Sequence, residues 1–400
     1  MLSIEKVKKA ADTLKDVIRK TDLIYAPALS NDAKIYLKAE NLQVTGSFKV
    51  RGAYAKIAEL PTDKKAKGII ACSAGNHAQG VALSAQKSGI KSTIFIPSTA
   101  PISKIEATRK YGAEIQLVDG VYDDAYKAAC EFQKTTGCEF IHPFDDEDVI
   151  AGQGTIALEI IEQLPEIDAI IVPIGGGGLI SGIAYTIKML KPECKVYGVQ
   201  ATGAGSMFHS IEANERKELP KVSTFADGTA VKMPGVLTFD YCQKFVDKIV
   251  TVSDDEIATA ILTLMEKQKL VAEGAGALSV AAALFKKLPI ENKNTVCLVS
   301  GGNIDVNILS RVINRGLLKA GRLCDLTIEL LDKPGQLKEV SQIIADLGAN
   351  VIRVHHKQGG EGTDINDCYL KISLETRNLR HFIEIKKALT NAGYKVTSGN

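Results

Sequence analysis

The order of hydrophobic and polar positions in residues 68–144 alternates between two periods. Short apolar runs such as GIIACSA and KSTIFIPS are followed by longer segments with apolar residues three or four positions apart, such as NHAQGVALSAQKSG. Runs of the first kind predict buried strands, and segments of the second kind predict helices. Because strands that alternate with helices form βαβ units, this part of the chain is predicted to contain a parallel sheet.

The same alternation continues beyond residue 150. Helix IAGQGTIALEIIEQL precedes strand AIIVPIG, helix LISGIAYTIKML and strand KVYGVQ, and a further strand, TVCLVSG, comes later. Helices are also predicted near residues 254–269 and 274–287 and from about Asp305. Residues 200–240 hold several glycines and two prolines, which predicts a long irregular connection. The whole pattern predicts an α/β fold with two sheets and a cleft at the carboxyl ends of their strands.

The pattern changes in residues 325–400. The strands LTIELL, NVIRVHHK, DCYLKISLE and YKVT alternate with the helices LKEVSQIIADLG and LRHFIEIKKALTNAG, with turns at DKPGQ and QGGEG. This β-α-β-β-α-β order is ferredoxin-like. It predicts a small domain over residues 325–400, separate from a larger domain over residues 1–320.

Composition narrows the possible partners. The chain has 400 residues, 45% hydrophobic and 24% charged, as expected of a folded protein with two or three domains. Its 49 basic and 47 acidic residues give a net charge of +2 without long blocks of one sign. Neither nucleic acid nor a membrane surface is therefore an expected partner.

Cysteine spacing and hydropathy indicate the compartment. The eight cysteines are scattered, with no CxxC pair and no Cys/His cluster at zinc spacing, so no metal site is predicted and free thiols are expected. The uncharged residues 169–187 contain Pro173 and four consecutive glycines, which would break a spanning helix. Without a signal peptide pattern at the N-terminus, the chain is predicted to be cytoplasmic.

A run of four glycines, Gly175 to Gly178, follows a predicted buried strand in PIGGGGL. Bare backbone N–H groups at the start of a helix can surround a phosphate. The spacing matches neither GxGxxG nor GxxxxGK[ST], which disfavours a dinucleotide or the terminal phosphates of ATP. A single phosphate monoester is predicted here, and the alternative is a flexible turn.

A polar turn follows another predicted strand in CSAGNHAQG. The backbone N–H groups of Ser73 to His77 and the Ser73 hydroxyl can hold a carboxylate at the helix start, and Asn76 can donate to a ring oxygen. The alternative is ordinary helix capping by Ser73 or Asn76. His77 is a possible general base, although a structural role is as consistent with its position.

Two further positions complete a chemical pattern. Ser300 follows a strand in CLVSGGN and can hydrogen-bond a ring nitrogen, whereas Lys49 lies in TGSFKVRG. A lysine attacks carbonyl groups when its pKa is lowered, and Phe48 and Arg51 are candidates for the apolar and cationic surroundings that would do so. A reactive lysine, a phosphate loop, a carboxylate turn and a ring-nitrogen partner match pyridoxal 5'-phosphate bound through an imine. The alternative for Lys49 alone is a surface loop residue.

With these motifs placed, residues 1–320 resemble the fold-type II pyridoxal-phosphate enzymes, and among them the threonine/serine dehydratases, or ammonia-lyases. GSFKVRGA, SAGNHAQG, AGQGTIALEI, GGGGL and SGGN occur in the order and spacing of that family. The resemblance implies parallel or mixed sheets with helices on both faces and a small subdomain at about residues 52–144 inserted in the large one. Residues 325–400, with DKPGQL, resemble an ACT domain, a regulatory module that commonly binds amino acids.

The resemblance also implies roles for individual residues. Lys49 would form the imine with the cofactor. The substrate carboxylate would lie against residues 73–77, called here the asparagine turn. The implied cofactor-binding residues are Lys49, Phe48, Asn76, Gly175, Gly176, Gly177, Gly178, Leu179, Gly228 and Ser300. The implied substrate-binding residues are Ser73, Ala74, Gly75, Asn76 and His77.

The implied reaction is deamination of L-threonine to 2-oxobutanoate and ammonia, with Lys49 removing the Cα proton and with L-serine as a second substrate. The related serine racemases have a serine where this chain has Ala74, and Gln200 lies where their metal-binding carboxylates would start. A serine dehydratase or racemase is the alternative within the family, and an amino-acid sensor with an inert catalytic scaffold is the alternative outside it. An amino acid such as isoleucine or valine is the expected effector of the C-terminal domain. The resemblance fits a biosynthetic or a catabolic enzyme, and it implies a homodimer or homotetramer.

Overall fold

The computed structural model describes residues 2–358 and 367–398. The chain divides into two compact units, Met1–Ile308 and Leu309–Asn400. The strands are β1 (Leu23–Tyr25), β2 (Lys34–Ala39), β3 (Ile69–Cys72), β4 (Ser92–Pro97), β5 (Glu114–Val118), β6 (Glu139–Phe140), β7 (Ala169–Pro173), β8 (Lys195–Ala201), β9 (Lys248–Val252), β10 (Asn294–Val299), β11 (Leu323–Leu331), β12 (Asn350–Gln358), β13 (Asp367–Glu375) and β14 (Lys395–Ser398).

The helices connect and cover these strands. They are α1 (Ile4–Leu14), α2 (Lys49–Glu59), α3 (Thr62–Lys67), α4 (Asn76–Ser88), α5 (Ile102–Arg109), α6 (Tyr122–Thr136), α7 (Glu147–Gln163), α8 (Gly178–Leu190), α9 (Ser206–Ala213), α10 (Val236–Phe245), α11 (Asp254–Thr263), α12 (Gly274–Leu284), α13 (Val306–Lys319), α14 (Gln336–Asp346) and α15 (Leu379–Asn391). The division between the units falls within α13, ahead of the boundary predicted at residues 320–325.

The first unit contains two sheets. The larger has the order β1-β2-β10-β7-β8-β9 and is parallel except for the β1–β2 pair. The smaller, with the order β5-β4-β3-β6, is parallel throughout and lies between β2 and β7 in the sequence. This mixed α/β arrangement agrees with the predicted fold class.

The core of the large sheet is close-packed because helices cover its faces. Every residue of β7 is buried, as expected of a central strand in a parallel sheet. Helices α7 and α8 approach each other closely at Gly182, where an added Cβ would lie 2.2 Å from the carbonyl oxygen of Ile150. The packing of α8 sets the position of its N-terminus, which is where the glycine run lies.

The prediction for residues 200–240 was wrong in part. The segment contains α9 and the first turns of α10, with irregular backbone between them. Ser206, Met207 and Ser210 of α9 are buried, so tertiary packing stabilises a helix whose glycine-rich surroundings gave little local indication of it.

The second unit has the predicted β-α-β-β-α-β order. Its sheet has the order β12-β13-β11-β14, antiparallel throughout, and α14 and α15 pack with it around a core that includes Leu326, Ile328 and Leu370. Most of the predicted QGGEG turn lies outside the described residues.

None of the helices in the described residues is long and apolar enough to cross a membrane. None of the eight cysteines, all of which lie in the described residues, forms a disulfide, and seven of them are buried.

Candidate active site

A cavity of about 1000 Å³ lies in the first unit, and every predicted site residue lines it. The strands β3, β7 and β10 end beside it, as expected for ligand sites in parallel α/β sheets. The residues brought together are Phe48, Lys49, Ser73, Ala74, Gly75, Asn76, His77, Gly175, Gly176, Gly177, Gly178, Leu179, Gly228 and Ser300.

The glycine run forms a loop with room for backbone alone. An added Cβ would lie 2.4 Å from the ring of Phe144 at Gly176, and 2.8 Å from the Phe144 backbone at Gly178. Gly177 has a φ of +102° and precedes the first residue of α8, a conformation that strongly favours glycine. The unobstructed N–H groups at this helix start fit a phosphate group.

Helix α10 holds the glycine loop in place through a contact with Gly176. The Thr238 hydroxyl donates to the carbonyl oxygen of Gly176 at 2.6 Å. The Asp145 carboxylate accepts hydrogen bonds from the backbone N–H groups of Val236 and Leu237 at 2.9 Å each, which caps α10. The loop is thus pre-formed by contacts outside the glycine run, and the sequence pattern did not identify these supporting residues.

The asparagine turn is not an ordinary helix cap. Helix α4 begins at Asn76, and no side chain caps its first turn. The Ser73 hydroxyl accepts from the N–H of Gly75 at 3.1 Å, so neither alternative capping role applies. The N–H groups of the first turn remain available to a carboxylate in the cavity.

The Asn76 amide is held from both sides. Its Nδ2 donates to Glu273 Oε1 at 2.6 Å, and its Oδ1 accepts from Asn303 Nδ2 at 2.8 Å. Asn303 also donates to the carbonyl oxygen of Thr45 at 2.8 Å. The amide orientation that the cavity presents is therefore determined by a partly buried hydrogen-bond network.

Glu273 is the main residue that the sequence pattern did not identify. It lies at the start of α12, lines the cavity and is 5% exposed. Burial and the charge of Asp227 raise its pKa to about 7, although the hydrogen bond from Asn76 opposes the shift. The available signal was that Glu273 is the only charged residue in the apolar segment 270–285.

Lys49 is the first residue of α2, at the positive end of the helix dipole. Its amine opens to the cavity and donates to the carbonyl oxygen of Pro143 at 2.8 Å. Burial lowers the pKa of Lys49 to about 8, and the nearby Glu273 carboxylate opposes this shift. Phe48 lies beside the amine, 5.3 Å from it at the ring centroid.

The predicted part of Arg51 in lowering the Lys49 pKa was wrong. The Arg51 guanidinium is buried and binds Glu40 and Glu159 instead. Arg51 does not line the cavity, and two carboxylates compensate its charge. The pKa of Lys49 is lowered by burial, whereas the sequence interpretation attributed this effect to Phe48 and Arg51 together.

His77 and Ser300 both line the cavity, and they differ in the length of their hydrogen bonds to the protein backbone. His77 Nε2 is 2.8 Å from the carbonyl oxygen of Ile141, and burial and Lys49 lower the His77 pKa to about 3. A neutral, hydrogen-bonded imidazole supports a structural role. The Ser300 hydroxyl makes a long hydrogen bond of 3.4 Å to the carbonyl oxygen of Ala275, which leaves it able to turn toward a ligand.

The raised pKa of Glu273 predicts a pH-dependent stability. Between about pH 5 and about pH 7 the folded cofactor-free protein keeps a proton that the unfolded chain releases, so the stability contribution of this group falls as pH rises. Relative to Glu273→Gln, the wild-type protein should lose on the order of 3 kcal/mol between about pH 5 and about pH 8. Thermal unfolding of both cofactor-free proteins across this range measures the difference.

The control for this experiment is Glu131→Gln, which changes an exposed carboxylate on α6. It should follow the wild-type pH dependence. Parallel curves for wild type and Glu273→Gln would contradict the raised pKa of Glu273.

The chain is similar to proteins whose family, cofactor or activity is known. The pyridoxal-phosphate dependent enzyme family matches residues 14–301. An L-threonine ammonia-lyase of Thermotoga maritima is 49% identical over 99% of both chains. Among solved structures, processed threonine deaminase isoform 2 of Solanum lycopersicum (TM-score 0.74, 38% identity) covers 79% of this chain and 90% of its own. Maize serine racemase (TM-score 0.74, 35% identity) covers 80% of this chain and 98% of its own.

These matches identify the family of the chain and the cofactor of that family. The cofactor is pyridoxal phosphate, and the similarity to the Thermotoga protein continues through the second unit. The chain belongs to the pyridoxal-phosphate dependent enzyme family and has the fold-type II architecture.

Proposed function

We propose that this protein is an L-threonine ammonia-lyase that converts L-threonine to 2-oxobutanoate and ammonia. The observation that carries the proposal is that Lys49, the glycine loop and the uncapped start of α4 line one cavity. The names of the Thermotoga and tomato relatives support threonine as the substrate.

The cofactor would be held by groups that already line the cavity. The N–H groups of Gly175 to Gly178 and of Leu179, in the first turn of α8, would bind its phosphate. Asn76 would contact the 3-oxygen of the cofactor, and Ser300 would contact its ring nitrogen. Phe48 and Gly228 would lie at the ring faces. When bound, pyridoxal phosphate supplies an electron sink for negative charge that develops at the substrate Cα.

Lys49 has two tasks in this proposal, as covalent anchor for the cofactor and as base. As base, the unprotonated Lys49 amine would take the Cα proton of the substrate. A pKa of about 8 leaves about one tenth of the amine unprotonated at pH 7, whereas an exposed lysine would be almost fully charged. The β-hydroxyl leaves as water, and one water is consumed when the released enamine hydrolyses to the 2-oxo acid and ammonia, so the atoms balance.

The start of α4 would orient the substrate. Its free N–H groups and the Ser73 hydroxyl would bind the carboxylate, with Gly75 and His77 shaping the turn. Ala74 presents a methyl group to the cavity, where a racemase needs a second acid/base on the opposite face. This favours elimination over racemisation.

Substrate choice between threonine and serine depends on one methyl group. A methyl contact contributes about 1–3 kcal/mol to discrimination. We therefore propose that L-serine is also deaminated, with a kcat/KM lower by roughly 10- to 200-fold.

The experiment is an assay of 2-oxo acid formation from L-threonine and from L-serine, together with chiral analysis of recovered serine. 2-Oxobutanoate from L-threonine without D-serine from L-serine supports the proposal. D-Serine as the main product would make the protein a racemase. A cofactor-loaded protein that binds amino acids without turnover would make it a sensor.

The second unit is proposed to be an ACT-like regulatory domain. This rests on its β-α-β-β-α-β order and on the DKPGQL turn. Isoleucine and valine are the first effectors to titrate into the threonine assay with the full chain, and a change in KM or kcat by either would support the assignment. A homodimer or homotetramer stays a prediction, which sedimentation of the holoenzyme can test.

Gly177→Ala is expected to weaken cofactor binding by roughly 10- to 100-fold. The added Cβ would lie 2.7 Å from Thr238 Cβ in a residue with φ +102°, so the loop must shift away from its present shape. Titration of the cofactor-free protein with pyridoxal phosphate measures the loss.

Gly89→Ala is the matched control for this variant. Gly89 also has a positive φ, +66°, but an added Cβ would meet nothing within 4 Å, and the residue lies at the far end of α4. It should bind the cofactor as wild type does. Equal affinities for all three proteins would contradict the phosphate role of the loop.

A further inference from the structure

Three neighbouring strands of the second unit bring metal-binding side chains to one end of their sheet. Asp332 directly follows β11, His356 lies near the end of β12, and Cys368 lies near the start of β13. Their carboxylate, imidazole and thiol ligand atoms lie within 4.8 Å of one another. His356 Nε2 and Asp332 Oδ1 are 3.8 Å apart.

Strand register accounts for this cluster. Cys368 of the central strand pairs with Leu330 on one side and with Gln358 on the other. Asp332 and His356 are each two positions from these partners. Because side chains alternate between the faces of a sheet, all three candidate ligands belong to the same face.

We propose that Asp332, His356 and Cys368 form a binding site for a divalent transition-metal ion, with Zn²⁺ as the preferred ion. A thiolate together with an imidazole favours zinc and its neighbours over Mg²⁺ and Ca²⁺, which prefer oxygen ligands. Three protein ligands leave one position of a tetrahedral zinc site for water or an exogenous ligand.

The geometry needs little adjustment. Zinc lies about 2.0–2.3 Å from its ligands, so ligand atoms now up to 4.8 Å apart must approach by about 1 Å. The Asp332 and His356 side chains are 40% and 46% exposed and can adjust their rotamers, whereas Cys368 is fixed in the core. One rigid ligand with two adjustable ones is a workable arrangement.

A fourth residue orients one of the ligands. Gln358 Nε2 donates to Asp332 Oδ2 at 3.0 Å, while Oδ1 is the oxygen nearer His356. Hydrogen bonds of this kind fix ligand orientation around metals. Bound metal would link the turn between β11 and α14 to both β12 and β13.

Spacing along the sequence gave no indication of this site, since its ligands are residues 332, 356 and 368. The prediction that the chain has no metal site rested on the absence of short Cys/His spacings. Only the sheet brings these three residues together. None of the three proposed metal-binding residues lines the active-site cavity, so the proposal is independent of the threonine reaction.

The test uses the full-length, reduced holoenzyme after removal of metal. Titration with Zn²⁺ should give one equivalent bound per chain, and Co²⁺ should produce a thiolate-to-cobalt charge-transfer absorption. His356→Gln and Cys368→Ser should each weaken Zn²⁺ binding by at least about tenfold, and Cys368→Ser should abolish the charge-transfer band.

Two matched variants serve as controls. His355→Gln changes the neighbouring exposed histidine on the other face of β12, and Cys324→Ser changes another buried thiol on β11. Both should bind Zn²⁺ as wild type does. Since His356 is exposed, His356→Gln gives an answer even if Cys368→Ser destabilises the unit. Unchanged affinity in His356→Gln and its control alike, or no binding of either ion, would overturn the proposal.

Discussion

Replacing Lys49 with alanine is expected to reduce 2-oxo acid formation from L-threonine by roughly 10³- to 10⁴-fold or more. The loss of a positioned general base alone accounts for about 10²–10⁴-fold, and the covalent anchor is lost as well. The visible absorption band of the imine-bound cofactor should disappear. The glycine loop and its support from Thr238 lie on other elements, so the variant should still bind pyridoxal phosphate noncovalently.

The control is Lys56→Ala, on the same helix. Lys56 forms an ion pair with Asp146 at 2.8 Å and does not line the cavity. This variant should keep the absorption band and most of the activity. Partial recovery of Lys49→Ala by small primary amines would identify the missing amine as the base. Retained turnover in Lys49→Ala without added amine would exclude Lys49 from this role.

The parts of the fold that could be predicted from the sequence are those with local signals. A run such as AIIVPIG indicates a buried strand from its own composition, and four consecutive glycines indicate close backbone approach to a ligand. The carboxyl ends of β7 and β10 lie side by side in the large sheet, which brings the motifs at residues 175–179 and 300 together. The motif at residues 73–77 follows β3 of the small sheet, and it lines the same cavity as Lys49.

The parts that could not be predicted depend on contacts between residues far apart in the sequence. Glu273 is 197 positions from Asn76, to which it is hydrogen-bonded, and no local pattern indicates that pairing. Phe144, which closes the glycine loop, lies in a segment without regular structure. Helix α9 likewise forms because its buried face meets the core. The sequence also suggested that Arg51 lowers the pKa of Lys49. The true partners of Arg51, Glu40 and Glu159, are not indicated by any local pattern.

Those partners make Arg51 the centre of a buried ionic network. Its guanidinium uses all five of its N–H donors, to Glu40, Glu159 and Thr155, at 2.6–3.2 Å. Lys38 also donates to Glu159, at 2.6 Å. Two cations and two carboxylates balance, and the contacts with Arg51 hold the first turn of α2, where Lys49 lies.

The Glu40 pKa reflects this compensation. Burial alone would raise it, but the charge of Arg51 and its hydrogen bonds lower it below the usual range. Glu40 is therefore ionised in the interior chiefly because Arg51 is present. The Thr21 hydrogen bond and the Lys38 charge act in the same direction. Removal of one partner from a buried ion pair leaves the other charge without compensation, which costs about 3–5 kcal/mol.

Arg51→Met should accordingly lower the stability of the protein by about 3–5 kcal/mol, with a fall in Tm on the order of 10 °C. Arg51→Lys should recover only part of the loss, since an ammonium group cannot reproduce the two-pronged contact with Glu40. Lys9→Met is the control, because Lys9 of α1 is 65% exposed and pairs at 2.6 Å with Glu59 at the end of α2, the helix that contains Arg51. Its cost should stay within about 1 kcal/mol. Thermal unfolding of the three variants measures these differences, and equal losses for Arg51→Met and Lys9→Met would refute the network. Cofactor absorption of the folded Arg51→Met protein then reports whether the first turn of α2 still presents Lys49 to the cavity.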